Sequence, residues 1–427
     1  MRKSCLLAIL VAVLFNINVG QAQRPDPSIE SVDSIGVGVY RIALRVIQSQ
    51  NWVVNVTAIT GPQGVLLIDN GWQWTGGMLD SAVAKLESGD VKMLINTHSH
   101  LDHAGTNVVF ESRGVPIIAS ETCRQEMSQY YFLPPFKNLP GLPSITFSDS
   151  LTIHFNGKTL HLASMPRAHS GGDITVKIDE DNLLIVGDLI FPGDFPYVNM
   201  TGVGNGSVDG YGHSLETIVS MCDAETRILP GHGDLITAKD VSAYNAVYKR
   251  AVSLVDKAIA AKMTRQQMID EDVVSSIKEW KTTWVDHGRW IRVITADRLG
   301  LNEELLEPVV IQMTRIYRDT DNIGKAIKFY RKAKKHHADQ YAFREVETNQ
   351  FGYQLIAMNK LEDAKAIFKL NVEEYPDSWN TYDSYAEALM NNGETEEAIK
   401  NYEKSVELNP DNSGGKQQLE RLRGEGN

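Results

Sequence analysis

Cysteine is nearly absent from this chain: three in 427 residues, at positions 5, 123 and 222. Neither Cys123 nor Cys222 sits at a metal-ligand spacing, so both read as packing residues and any metal chemistry falls to other donors. An oxidising compartment permits a disulfide between them, but the sequence does not imply one. Long apolar runs are missing beyond the first 22 residues, so nothing downstream is expected to span a bilayer. A net basic charge is missing as well. Lysine and arginine number 42 against 54 acidic residues, a formal charge of −12, which argues against nucleic acid as a partner.

The one apolar run lies at the start. Arg2 and Lys3 precede CLLAILVAVLF, and Gly20-Gln21-Ala22 follows as a small-x-small site. Residues 1–22 therefore read as a secretory signal, too short for a spanning helix. The expectation is a periplasmic or secreted protein, with no stable membrane insertion after signal removal.

Histidine is locally abundant. THSHLDHAG, directly after the apolar run VKMLIN, places His98, His100, Asp102 and His103 within six positions. Further donors follow: His169 in RAHSGGD, Asp188 in IVGDLIF and His232 in LPGHGD. A lone histidine is usually a satisfied core residue, but a core role does not explain three in six positions. His98 and His100, two apart at a strand end, point the same way and suit one zinc, with His169 in reach. Asp102 and His103 face a second metal, completed by His232, with Asp188 bridging. Two such cations lower the pKa of a shared water toward about 7, and the bridging hydroxide attacks a carbonyl or phosphoryl centre. Asp102 is the expected catalytic residue, orienting that hydroxide and accepting its proton. Two Zn2+ ions are the expected cofactors, with iron or manganese as alternatives. The other six histidines (His154, His161, His213, His287, His336, His337) read as ordinary polar residues.

From about 35 to 240, short β-branched runs alternate with helical spacing, as in a layered domain. Beyond 240 strand signals disappear, and Trp280, Trp284 and Trp290 form a tryptophan-rich stretch. The last hundred residues repeat at a period of 34: Gly352/Ala386, Leu355/Leu389, Ala364/Ala398, Phe368/Tyr402 and Pro376/Pro410. This pattern resembles the tetratricopeptide repeat, in copies 345–378 and 379–412. A degenerate third copy is expected around Ala326 and Tyr330, and GKQQLERLR reads as a capping helix. The expected domains are a signal peptide (1–22), a catalytic domain (23–240), a helical extension (241–320) and helical repeats (321–427).

With HxHxDH followed by separated His, Asp and His, residues 35–240 resemble the metallo-β-lactamase fold superfamily. The resemblance implies an α+β class: an αβ/βα four-layer sandwich with metals at one edge, here followed by an all-α repeat domain. It assigns His98, His100 and His169 to the first metal, Asp102, His103 and His232 to the second, and Asp188 to both. It also implies that Asp69, in LLIDNG, fixes ligand or loop geometry. One class of zinc β-lactamases has cysteine in place of Asp188, and another lacks the bridging carboxylate. Aspartate there is typical of thioesterase, lactonase and phosphodiesterase branches. No lysine stands near Asp188 to grip a substrate carboxylate, and only Arg167 lies close to the metal loops.

The expected function is therefore a secreted dinuclear zinc hydrolase acting on a small-molecule ester, lactone, thioester or amide. The alternatives are a β-lactamase, a phosphodiesterase or sulfatase on the same metals, and a repeat-mediated binding protein with a relic metal domain. Trp72 and Trp74 are candidates for a flap, and Phe195 and Tyr197 for pocket walls, against the plainer reading that they pack loops. The repeats are candidates for holding a protein partner or a second copy of the chain.

Overall fold

A computed structural model describes residues 28–47, 52–72, 75–129, 141–200, 206–283, 285–300, 306–338, 340–410 and 412–424. The signal segment 1–22, Cys5, Trp74 and Trp284 lie outside the described residues. Among these residues no helix is long and apolar enough to cross a membrane.

The first half builds a seven-stranded sheet: β1 Ser28–Gly36, β2 Val39–Ile47, β3 Trp52–Gly61, β4 Gly64–Ile68, β5 Val91–Ile95, β6 Ile117–Ser120 and β7 Ile145–Phe147, in sequence order. The pairing is antiparallel from β1 to β4 and parallel from β4 to β7. Helices α1 Gly76–Ala84, α2 Leu101–Ala104, α3 Asn107–Ser112 and α4 Glu121–Gln129 lie between the later strands. A second sheet has the order β13-β12-β11-β10-β9-β8. It contains β8 Ser150–Phe155, β9 Lys158–Pro166, β10 Gly172–Ile178, β11 Leu183–Gly187, β12 Arg227–Pro230 and β13 Ile236–Thr237, with α5 Val208–Ser220 before β12.

Side-chain parity explains the layering. β4 reads GVLLI, apolar throughout, because both of its faces are buried. Leu66 and Ile68 face the second sheet, in a core shared with Leu162, Ile174, Val176 and Ile185. Val65 and Leu67 point the other way, against Leu79, Ala82 and Val83 of α1. β11 alternates likewise, with Leu183 and Ile185 inward and Leu184 and Val186 toward helices on the outer face. The result is the expected αβ/βα sandwich.

Two details depart from the sequence pattern. β1, SIESVDSIG, is a largely exposed edge strand with register shifts, so its polar composition hid it. α5 begins at Val208 in spite of Gly210 and Gly212 in its first turns. Ser207 Oγ caps it by accepting from Gly210 N, and a Cβ at Gly210 would stand 2.0 Å from the Arg167 carbonyl oxygen. The glycines that look loop-like are there for close packing.

The helices after the last strand, α6 Ala238–Ala260, α7 Arg265–Asp270 and α8 His287–Leu299, are not the separate extension expected from the sequence. Tyr248, Val255, Met268, Trp290 and Ile294 from these helices share one core with Leu184, Val186, Leu215 and Ile228 of the second sheet and α5. One compact unit therefore runs to 306, and the helices beyond it belong to a second.

That second unit stacks α9 Val309–Thr320, α10 Ile323–His336, α11 Glu345–Ala357, α12 Leu361–Glu374, α13 Trp379–Asn391, α14 Thr395–Leu408 and α15 Ser413–Gly424. The matched repeat positions Leu355, Leu389, Ala364, Ala398, Phe368 and Tyr402 are all buried, as are Ala326 and Tyr330 upstream.

Candidate metal centre

The centre lies where the strands of both sheets end. β5 runs into Thr97-His98-Ser99-His100 and then the single turn α2, which carries Asp102 and His103. His169 precedes β10, Asp188 follows β11 and His232 follows β12. The structure brings all seven predicted donors together in two groups, His98, His100, His169 and Asp188, and Asp102, His103, His232 and Asp188. Within each group the donor atoms lie within 4.8 Å of one another. Asp188 belongs to both. Its Oδ1 lies 3.3 Å from His103 Nε2, and its Oδ2 lies 3.7, 3.6 and 3.4 Å from Nε2 of His98, His169 and His232. Asp102 Oδ2 lies 3.6 Å from His103 Nε2 and 3.4 Å from His232 Nε2.

The outward nitrogens of four imidazoles are held so that Nε2 faces inward. His169 Nδ1 donates to the Tyr197 carbonyl at 2.6 Å, and His232 Nδ1 to that of Val53 at 2.9 Å. His103 Nδ1 donates to Asp69 Oδ2 at 2.8 Å. Thr97 Oγ1 also donates to Asp69 Oδ2, at 2.8 Å, and lies 3.1 Å from His98 Nδ1, from which it accepts. One carboxylate thus sets the tautomer of a histidine in each group, the part expected of Asp69. His100 differs, presenting Nδ1 to His169 Nε2 at 2.9 Å while the Asn199 amide stands 2.9 Å from its Nε2.

A second buried acid supports the first group. Glu126, on α4, accepts from Ser99 Oγ at 2.8 Å and from Gly171 N at 2.7 Å. It ties the loop of His98 and His100 to the loop after His169. Neither Glu126 nor Asn199 carries a signal in the sequence, since each is a single polar residue far along the chain from its partner. The approach is close everywhere. A Cβ on Gly231 would stand 2.1 Å from Asp188 Oδ1, so only glycine fits there.

Burial lowers His98 and His169 and brings His100 to about 3, with neighbouring imidazoles adding to the fall for His98 and His100. These rings are neutral and keep their lone pairs. Burial opposes charge on His103 and His232 as well, but the carboxylates outweigh it. Asp188, Asp102 and Asp69 raise His103, and Asp188 and Asp102 raise His232 to about 10. Asp102 and Asp188 stay ionised against their burial through His103 and His232.

Desolvating each such ion costs several kcal/mol, so a core would not gather them for packing alone. His98 Nε2, His103 Nε2 and Asp188 Oδ1 are buried without a hydrogen-bond partner and point into the same space. Nitrogen and carboxylate donors left unsatisfied around one point fit divalent cations.

The remaining candidates divide. Phe195 is not a pocket wall: it is fully buried among Trp280, His287 and Trp290, because α8 covers it. Tyr197 does line the centre, its ring 5.9 Å from His100 and 5.7 Å from His169. Phe191 stacks on His232 at 5.9 Å, a neighbour the sequence did not suggest. Trp72 is half-buried after the Asp69 turn. His161 and His287 pair with Asp179 and Asp272, away from the centre, and Cys123 and Cys222 are both free thiols.

A sandwich whose strand ends converge on two histidine and carboxylate groups sharing one aspartate defines a class of metal-dependent hydrolases. Residues 50–232 match the family described as "Metallo-beta-lactamase superfamily", and residues 379–412 match "Tetratricopeptide repeat". The chain is 28% identical over 188 residues to the hydroxyacylglutathione hydrolase GloC of Haemophilus influenzae, covering 40% of this chain and 79% of that protein. Among solved structures, a metallo-beta-lactamase from Pontibacter korlensis matches with a TM-score of 0.42 and 17% identity, over 51% of this chain and 98% of that one. The DIM-1 metallo-beta-lactamase matches with a TM-score of 0.43 and 13% identity, over 52% and 98%. The chain carries a metallo-beta-lactamase superfamily domain followed by a tetratricopeptide repeat, and these matches indicate a metal-dependent hydrolase.

Proposed function

We propose that this chain is an exported, dinuclear zinc hydrolase of a small ester, lactone, thioester or amide. The observation that carries this reading is Asp188, one carboxylate shared by two complete donor groups. Imidazole nitrogens with a few carboxylate oxygens suit zinc, with iron or manganese as the competing metals. A cation pair held there would polarise the scissile carbonyl and make a water-derived nucleophile available near neutral pH. Asp102, kept ionised by His103 and His232, is placed to hold the proton that the attacking water gives up. Asp69 and Glu126 fix the rings around it, and Tyr197 borders the rim beside His100.

The name of GloC supports putting thioesters first, since an acyl group on glutathione is carried by sulfur. The apolar start of the chain supports a periplasmic or secreted location, and the repeats support a protein partner or self-association. The test is hydrolysis by the metal-loaded protein of a panel of thioesters, lactones, β-lactams, phosphodiesters and sulfate esters, with a chelated control. Turnover is expected on thioesters or lactones and should disappear on chelation. Turnover confined to β-lactams or to phosphorus and sulfur esters would replace this substrate class, and none on any member would favour the relic-domain alternative.

A further inference from the structure

The sequence offers only Arg167 as a cation near the metal loops, but the fold brings a second from the helices beyond the sheets. Arg289 Cζ lies 4.5 Å from the centroid of the Tyr197 ring. That ring stands edge-on to His100, with centroids 5.9 Å apart, and its backbone carbonyl holds His169. The guanidinium is therefore no farther from the His100 ring than the sum of those two distances.

We propose that Arg289, stacked on Tyr197, anchors a carboxylate carried by the substrate a few bonds from the scissile carbonyl. The proposal rests on the hydrolase reading of the metal centre. It follows first from how firmly the arginine's backbone is placed. Asp286 caps α8 by accepting from Arg289 N at 2.7 Å. The next residue, Trp290, is fully buried between Phe195 and Tyr248, with ring centroids at 6.2 and 5.8 Å.

Partnering is the second argument. Arg41, Arg45, Arg113 and Arg298 all sit on carboxylates. Arg289 has an exposed side chain and no acidic partner among the described residues. Arg124 and Arg227 instead donate to the carbonyls of Pro143 and Asp181, so among these arginines Arg289 is the one whose guanidinium N–H groups have no protein acceptor among the described residues.

Geometry is the third. A guanidinium lying on an aromatic ring is held by its face, which leaves its in-plane N–H groups free for a two-point bond to a carboxylate. The preferred substrates would be acyl compounds bearing an anionic end, drawn in against the protein's overall charge.

The test uses the metal-loaded full chain and two matched probe pairs. The first pair, mono-4-nitrophenyl glutarate and 4-nitrophenyl butyrate, reads kcat/KM. The second pair, 6-sulfanylhexanoate and its methyl ester, reads Kd by calorimetry and needs no turnover, and the corresponding phosphonate is a third ligand. The wild type should favour each carboxylate about ten- to a hundredfold, the range for hydrogen bonds to a charged group. Arg289→Met keeps an apolar stem over Tyr197. It should abolish that preference while leaving the neutral probes and the metal content unchanged, and Arg289→Lys should retain part of it.

Equal handling of the paired probes by the wild type, or an undiminished preference in Arg289→Met, would overturn the proposal. Tighter binding of the phosphonate would overturn the choice of carboxylate. If neither ester is cleaved but the Kd preference is present and Arg289-dependent, the ester-hydrolase reading fails and the anchor stands.

Discussion

Asp188→Asn should lower the metal content from two ions per chain to one or fewer and reduce hydrolysis by at least about a hundredfold, beyond the loss typical of residues that only orient ligands. The substitution keeps the shape of the side chain and removes its charge. Oδ1 faces His103, and Oδ2 faces His98, His169 and His232, so one change reaches both donor groups. The same change removes the main support for the charge on His103 and His232. Losing one partner of a buried ion pair costs about 3–5 kcal/mol unless the other sheds its proton, and these imidazoles have that route. The variant should therefore fold, with lower affinity for metal and lower activity. Elemental analysis beside turnover on the best substrate of the panel checks both effects. Full metal content with unchanged turnover would remove Asp188 from the centre.

Asp102→Asn tests the step rather than the site. Asp102 is held ionised in spite of its burial, with His103 and His232 on the side of Oδ2. Asparagine keeps an oxygen there and loses the capacity to take a proton. At metal concentrations that keep both sites filled, kcat should fall by about 10²–10⁴-fold, the usual contribution of a positioned base. Trp72→Ala, at a half-buried loop position, should change kcat by less than about tenfold, the scale of a non-catalytic loop contact. Comparable losses in the two variants would assign the proton transfer elsewhere.

The metal donors were legible in the sequence because their chemistry is concentrated. Three imidazoles and a carboxylate in six positions have no ordinary structural explanation, and the later His169, Asp188 and His232 each sit beside a strand or turn pattern. The sandwich was legible for a related reason, since apolar strands such as GVLLI and LLIVG signal burial on two faces. What escaped depends on contacts between distant segments. Glu126 looks like any acid on a polar helix until Ser99 and Gly171 are found on it. Phe195 looked like a pocket wall because it follows GDLIF closely, and only the packing of Trp280 and Trp290 shows it to be core. Arg289 lies in a stretch whose composition suggested a helical extension, yet it stands on Tyr197 beside a metal ligand. β1 was hidden because an edge strand with one solvated face has no need of apolar residues.

The central claim is a paired metal site, and calorimetric titration of the metal-free chain with Zn2+ tests it most directly. His232, raised to about 10, and His103, also raised above its ordinary value, hold protons at neutral pH, so metal must displace them. Affinity should therefore climb as pH rises from neutrality toward 10 and fall as it drops. Binding of two ions per folded chain, with a heat that varies with the buffer's own protonation enthalpy, is the predicted result. A folded chain that binds one ion or none, or binds with no release of protons, would contradict it.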